Sequence, residues 1–170
     1  MLQVGGNCSA LLPIDDVNAV VVVSKSGKAP HMTMNTDTDF AIITNFDWNK
    51  WSCDYYACDD SVLPTSDAPL HCAVLNARQD MRWSAYPQVV LHGHAFETED
   101  KARACGYPIS TDETLFSTPE DTEALMTLLK RYPYPDHEIF VRKGHGFVLL
   151  ADSTAAAKRV FDSKMKPNLI

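Results

Sequence analysis

Strands interleaved with helices predict an α/β fold for this chain, and three stretches carry the prediction. The β-branched run Val20-Val21-Val22-Val23 reads as a buried strand. Ser117-Thr118-Pro119-Glu120-Asp121 reads as a helix opening, with a hydroxyl cap, a proline at the first position and early acidic residues. Two apolar segments, 139–142 and 147–150, flank Gly144-His145-Gly146 and read as strands.

The remaining elements follow in order. Strand 19–24 closes on Lys25-Ser26-Gly27-Lys28, a turn of small residues, and 40–44 is a second strand. Residues 45–64 mix aromatics, aspartates and cysteines without a clear period and read as strand ends and loop. A helix then starts, with Thr65 or Ser66 as N-cap, Asp67 suited to the positive helix end and Pro69 tolerable in the first turn; it is expected to reach about residue 78. Residues 89–94 form the next strand. The helix opened at 117–121 gains an apolar face from Leu125, Leu128 and Leu129, and Ser153 caps a last helix carrying Ala156, Val160 and Phe161.

A chain of 170 residues is expected to form a single domain, 1–170, burying about two-thirds of the surface its unfolded form exposes. A net charge of -7 without a lysine-arginine run argues against a nucleic-acid partner. The longest apolar run, at 19–23, falls far short of the roughly 20 residues of a membrane span, and the N-terminus has no charged region followed by an apolar stretch. No membrane association and a cytoplasmic location are therefore expected. The five cysteines contain no Cys-x-x-Cys, so reduced thiols are expected; Cys53 and Cys58 read as loop thiols rather than metal ligands.

Leu91-His92-Gly93-His94-Ala95 and Gly144-His145-Gly146 carry the chemistry. Neutral imidazoles are common ligands of catalytic divalent metals, and residues two apart in a strand face the same side, so His92 and His94 can grip one face of an ion while His145 completes the set. The adjacent glycines read as room for a ligand. His-x-His alone fits a surface or core pair equally well. Upstream, Pro64-Thr65-Ser66-Asp67-Ala68-Pro69-Leu70-His71 puts two hydroxyls and a carboxylate on a helix N-terminus, where free N–H groups favour a phosphate, although capping alone also explains Thr65 or Ser66. Gly5-Gly6-Asn7 and Ser26-Gly27 read as two further small polar turns.

Taken in order, Gly6-Asn7-Cys8-Ser9, Lys25-Ser26-Gly27, Pro64-Thr65-Ser66-Asp67 with His71, His92-Gly93-His94 and Gly144-His145-Gly146 resemble the class II aldolase/adducin family. The resemblance spans nearly the whole chain and rests on five motifs in the same order. It implies a three-layer α/β/α sandwich with a central, mainly antiparallel sheet, and a homotetramer with active sites between subunits. It places a metal, usually zinc although another divalent ion would serve, on His92, His94 and His145. It places a sugar phosphate's phosphate on Asn7, Ser26, Gly27, Thr65 and Ser66, with Lys25 and Ser24 assisting.

Asp67 stands where the aldolases have an acid/base glutamate, and Ser66-Asp67-Ala68-Pro69-Leu70-His71 is closer to the ribulose-phosphate 4-epimerase branch. The implied activity is a zinc-dependent aldolase, a lyase acting on a sugar phosphate through a metal-stabilised enediolate. A pentulose-5-phosphate 4-epimerase and a non-catalytic adducin-like scaffold are the alternatives. His71, one helical turn from Asp67, reads as structural support. A second acid/base is expected between the metal motifs, with Glu113 the choice over Asp112 and Tyr107. The chain reads as a short member of the family, expected to do without the helix that normally precedes the Gly-Asn turn and without a tail tyrosine, with twenty-five residues following His145. His31 and His137 read as surface histidines, and Trp48, Trp51, Tyr55 and Tyr56 as packing aromatics.

Overall fold

The computed structural model describes residues 5–15, 18–28, 32–77, 81–96 and 98–169. Its strands are β1 (Gly6–Pro13), β2 (Ala19–Ser24), β3 (Phe40–Asp47), β4 (Ser52–Ala57), β5 (Val89–Gly93), β6 (Ile139–Arg142) and β7 (Gly146–Ala151). They form one sheet in the order β4-β3-β2-β1-β5-β7-β6, with every neighbouring pair antiparallel. The helices are α1 (Ala68–Leu75), α2 (Glu99–Ala104), α3 (Pro119–Arg131) and α4 (Thr154–Val160), the last running on through a wide turn at Phe161–Met165.

Strand β7 shows why the sheet is covered on both sides. All six of its residues are buried, and the period of two sends alternate side chains to opposite faces. Val148 and Leu150 join Val90 and Phe140 in a core that includes Leu70 and Leu75 of α1 and Leu125 and Leu129 of α3. Phe147, Leu149 and Ala151 join Val89, Ile139 and Val141 in a second core with Ala157 and Val160 of α4. The chain thus forms the expected three-layer α/β/α arrangement around an antiparallel sheet.

Three elements depart from the sequence reading. The segment taken as a Gly-Asn turn opens β1, an inner strand between β2 and β5. Residues 52–57, within the stretch read as strand ends and loop, form a full edge strand β4, which turns Cys53, Tyr55 and Ala57 against the core and leaves Tyr56 exposed. Helix α2 was not anticipated; Thr98 caps it by accepting from the Lys101 N–H at 3.4 Å. The caps at Thr118 and Ser153 are as expected, each hydroxyl accepting from the N–H three residues on. Helix α1 starts at Ala68 and ends at Leu75, while residue 78 lies outside the described residues. Asp67, rather than Thr65 or Ser66, occupies the cap position of α1; its carbonyl accepts the His71 N–H at 3.2 Å, but its carboxylate makes no cap bond because it is used elsewhere.

Candidate metal centre

Strand register builds the centre. Asn7 of β1 pairs with His92 of β5, which pairs with Val148 of β7. The pleat puts His92 on the same face as Val90, toward α1 and α3. His94 follows just past the strand end, its N–H donating to the Gly5 carbonyl at 3.1 Å. His145 sits in the β6–β7 turn, its N–H donating to the Arg142 carbonyl at 3.0 Å. One ring nitrogen from each of His92, His94 and His145 comes within 4.8 Å of the others.

The glycines beside these histidines serve the backbone and do not open space for a ligand, which corrects the sequence reading. A Cβ on Gly93 would stand 2.6 Å from the Phe147 ring. On Gly146, whose φ is +141°, it would stand 2.2 Å from the Gly93 carbonyl oxygen. Both residues let β5 and β7 approach closely enough to bring His92 and His145 together.

The rings are oriented as ligands. His92 donates its Nδ1–H to the Phe147 carbonyl at 2.8 Å, which leaves Nε2 as a lone pair. That Nε2 is buried without a hydrogen-bond partner, and so are both ring nitrogens of His145. Buried polar atoms are normally paired, so this cluster of orphans fits a ligand set for a cation. Burial pushes the His92 imidazole down to about 4 despite the opposing pull of Asp67, so the ring is neutral, as a metal ligand must be. Three imidazoles are a donor set suited to zinc or a similar divalent ion.

Asp67 hangs into this cluster from the start of α1. Its Oδ2 lies 3.7 Å from His92 Nε2 and its Oδ1 3.7 Å from His145 Nε2. The Asn7 amide donates to Oδ2 at 2.6 Å and the Ser117 hydroxyl to Oδ1 at 2.9 Å. Burial pushes the Asp67 carboxyl up, but His92, Asn7, His145 and Ser117 together outweigh it and hold the group below the usual carboxylate value. Behind Asn7 lies His71, fully buried, with Nε2 2.5 Å from Asn7 Oδ1 and Nδ1 2.7 Å from Ser9 Oγ. The carboxylate only accepts, so Asn7 must point its NH₂ at Asp67 and its carbonyl at His71; His71 therefore donates from Nε2 and accepts from Ser9. The expected supporting role of His71 is what this network assigns.

The other sequence candidates fall into separate places. The turns expected to hold phosphate are joined: the Ser26 N–H donates to the Leu63 carbonyl at 2.9 Å and the Thr65 N–H to the Ser24 carbonyl at 3.0 Å. Ser26, Gly27 and Ser66 are exposed at this junction. Thr65 is buried, its hydroxyl accepting from the Asp67 N–H at 3.3 Å, and Lys25 is paired with Asp39 at 2.6 Å. Asn7, by contrast, has both ends of its amide engaged by Asp67 and His71. Glu113 is exposed and lies against Gly144, beside the His145 turn. Asp112 is exposed, and the Tyr107 hydroxyl donates to the Lys164 carbonyl at 2.6 Å in a packing role. His31 lies outside the described residues, and His137 packs edge-on against Tyr132. All five cysteines are free.

Sequence reasoning missed four participants. Ser117 was read as part of a helix opening, Phe116 was not singled out although its ring lies 5.4 Å from that of His145, and Arg142 was read only as a strand end. Asp121 was assigned to the helix dipole, but it is buried beside His145, Nδ1 to Oδ2 3.3 Å. A signal for Asp121 was present: it precedes Leu125 by four residues and so shares the apolar stripe of α3.

Neither any family model nor any curated protein matches the sequence. Solved structures do match the fold. The chain is similar to an L-fuculose 1-phosphate aldolase at TM-score 0.62 and 15% identity, over 93% of this chain and 70% of that one. It is similar to a sugar-phosphate aldolase from Thermotoga maritima at TM-score 0.61 and 15% identity, over 96% of this chain and 88% of that one. A third likeness is to the N-terminal class II aldolase domain of a conserved protein from Thermoplasma acidophilum, at TM-score 0.60 and 15% identity, over 97% and 80% of the two chains. The chain has a class II aldolase-like fold. Among the described residues no helix is long and apolar enough to cross a membrane.

Proposed function

We propose that this protein is a divalent-metal class II aldolase that cleaves or forms a carbon–carbon bond of a sugar phosphate. The observation that carries the reading is the convergence of His92, His94 and His145 beside the buried Asp67 carboxylate. A zinc or similar ion on the three imidazoles would supply a Lewis acid for negative charge developing on a substrate oxygen. Asp67, held ionised by Asn7 and Ser117, takes and returns a proton at the reacting carbon or its hydroxyl. The adjoining turns with Ser26, Gly27, Thr65 and Ser66 bind the phosphate through their hydroxyls and the N–H groups of Gly27 and Ser66, those of Ser26 and Thr65 being already bonded. Asn7 serves chiefly to fix Asp67, and Glu113 beside Gly144 is the second acid/base. A homotetramer with sites completed between subunits belongs to the same reading.

The aspartate in Ser66-Asp67-Ala68-Pro69-Leu70-His71 favours one second reading, a pentulose-5-phosphate 4-epimerase on the same residues. Incubating the zinc-loaded protein with ketose 1-phosphates and pentulose 5-phosphates separates the two. A triose product identifies the aldolase, and an epimer without fragments identifies the epimerase. Absence of turnover on every member of the panel, together with absence of bound metal, would leave the scaffold reading in possession.

A further inference from the structure

Among the described residues six buried side-chain atoms lack a hydrogen-bond partner, and two of them face each other: His145 Nδ1 and Asp121 Oδ2, 3.3 Å apart but not aligned as a hydrogen bond. The surroundings of Asp121 explain the arrangement. Asp121 is 1% exposed and Arg142 0%. Arg142 directs Nε at 3.0 Å and Nη2 at 2.7 Å to the same oxygen, Oδ1, and the Thr114 hydroxyl donates to that oxygen too, at 2.9 Å. Arg142 Nη2 also bonds the Thr114 hydroxyl. A guanidinium often spreads two N–H groups over both oxygens of a carboxylate. Here three donors gather on one oxygen, and the other is left for His145.

We propose that Asp121 is a positioning residue of the metal centre: its Oδ2 accepts the Nδ1–H of His145, fixes that tautomer and turns Nε2 toward Asp67 and the site. A single hydrogen bond removes two orphans at once and leaves His145 Nε2 in the same state as His92 Nε2. His92 has its ring set by a backbone carbonyl, and His145 has its ring set by a carboxylate. Arg142 keeps Asp121 ionised and therefore acceptor-only. Stability alone is a weak reason for this pair, because a buried ion pair seldom improves on apolar packing. The inference rests on the proposed metal function only for what Nε2 binds; the tautomer is a property of the metal-free protein.

The test uses both states. Long-range ¹H–¹⁵N spectra of ¹⁵N-histidine-labelled, metal-free protein at about pH 8 should show His145 as the Nδ1–H tautomer, and an Nε2–H tautomer overturns the proposal. In Asp121→Asn the donors of Arg142 and Thr114 hold the amide oxygen, so the NH₂ faces His145 and should force the Nε2–H form. Zinc affinity, read by competition with a chromophoric chelator, should then weaken by about 10–100-fold, and the visible spectrum of the cobalt-loaded protein should change. Wild-type affinity with an unchanged tautomer in folded Asp121→Asn overturns the proposal. Should that variant not fold, the wild-type tautomer decides. Wild-type protein that holds Nδ1–H yet takes up no zinc supports the role of Asp121 and sinks the metal reading instead.

Discussion

The Asp67 carboxylate faces the His92 ring across 3.7 Å, Oδ2 to Nε2, although the two residues come from a helix start and a strand end. Its other oxygen stands in the same relation to His145. With Asp67 4% exposed and His92 held neutral by burial, the Asp67 carboxylate carries a buried negative charge that, among the described residues, no lysine or arginine pairs with. A divalent ion on the imidazoles would balance that charge and occupy their free nitrogens together. Electrostatics and hydrogen-bond accounting thus ask for the same guest.

Metal binding and catalysis should separate by substitution. His92→Ala or His145→Ala should abolish stoichiometric zinc, measured by elemental analysis of the purified protein, because each removes one of three ligands. Asp67→Asn should keep the metal and lower ketose-phosphate turnover by roughly 10²–10⁴-fold, the usual yield of a positioned acid/base. Wild-type turnover in folded Asp67→Asn would remove Asp67 from the mechanism.

Ser117 joins two parts of the structure through one strained residue. Its φ is +63°, a region costly for a residue with a Cβ; its hydroxyl holds Asp67 and its carbonyl accepts the Trp51 indole N–H at 2.9 Å. Ser117→Ala and Ser117→Gly both delete the hydroxyl, but only glycine relieves the strain, worth about 1–2 kcal/mol. Both should lose turnover to a similar extent, about 10–150-fold for a hydrogen bond of about 1.5–3 kcal/mol to a charged group. Ser117→Gly should unfold at higher urea than Ser117→Ala. Equal midpoints would show that the left-handed conformation carries no strain.

Much of this candidate site was legible because its residues follow local rules. His92 lies in β5 with His94 just past its end, and Asp67 immediately precedes a helix with Pro69 in its first turn, so local spacing put all three near element ends. Strand β1 was illegible for the opposite reason: Gly6 and Asn7 signal a turn locally, whereas Gly6 is needed because a Cβ there would meet the His92 carbonyl at 2.6 Å. Asn7 and Asp121 likewise took their roles from partners distant in sequence, Asp67 and His71 for one and Arg142 and His145 for the other. Pairing across a sheet is a long-range fact, and no window of adjacent residues contains it.

Gly146 tests the close approach of β5 and β7. Gly146→Ala puts a Cβ against the Gly93 backbone at a φ of +141°, where neither the neighbour nor the substituted residue can yield cheaply. The variant should lose at least about 1–3 kcal/mol, the usual cost of overpacking, seen as a lower urea midpoint. Because the displaced strands carry His92 and His145, zinc affinity should fall as well. Unchanged stability would mean that the strands slide apart freely.

His71 should make stability depend on pH in a defined window. Burial, with some repulsion from His92 and an opposing pull from Asp67, lowers its folded value from 6.5 to about 3. The unfolded chain therefore binds a proton that the folded chain refuses between those values, and stability falls as pH drops through that range. The steepest contribution is about 1.4 kcal/mol per pH unit. Above pH 6.5 both states are neutral and the group contributes no slope. His71→Gln keeps a side chain that can bond Asn7 and removes the titration, so its urea-unfolding free energy should decline less steeply than wild type between pH 6.5 and pH 4, both measured metal-free. Parallel curves for the two proteins would place the His71 proton on the folded state and break the donor order deduced for Ser9, His71, Asn7 and Asp67.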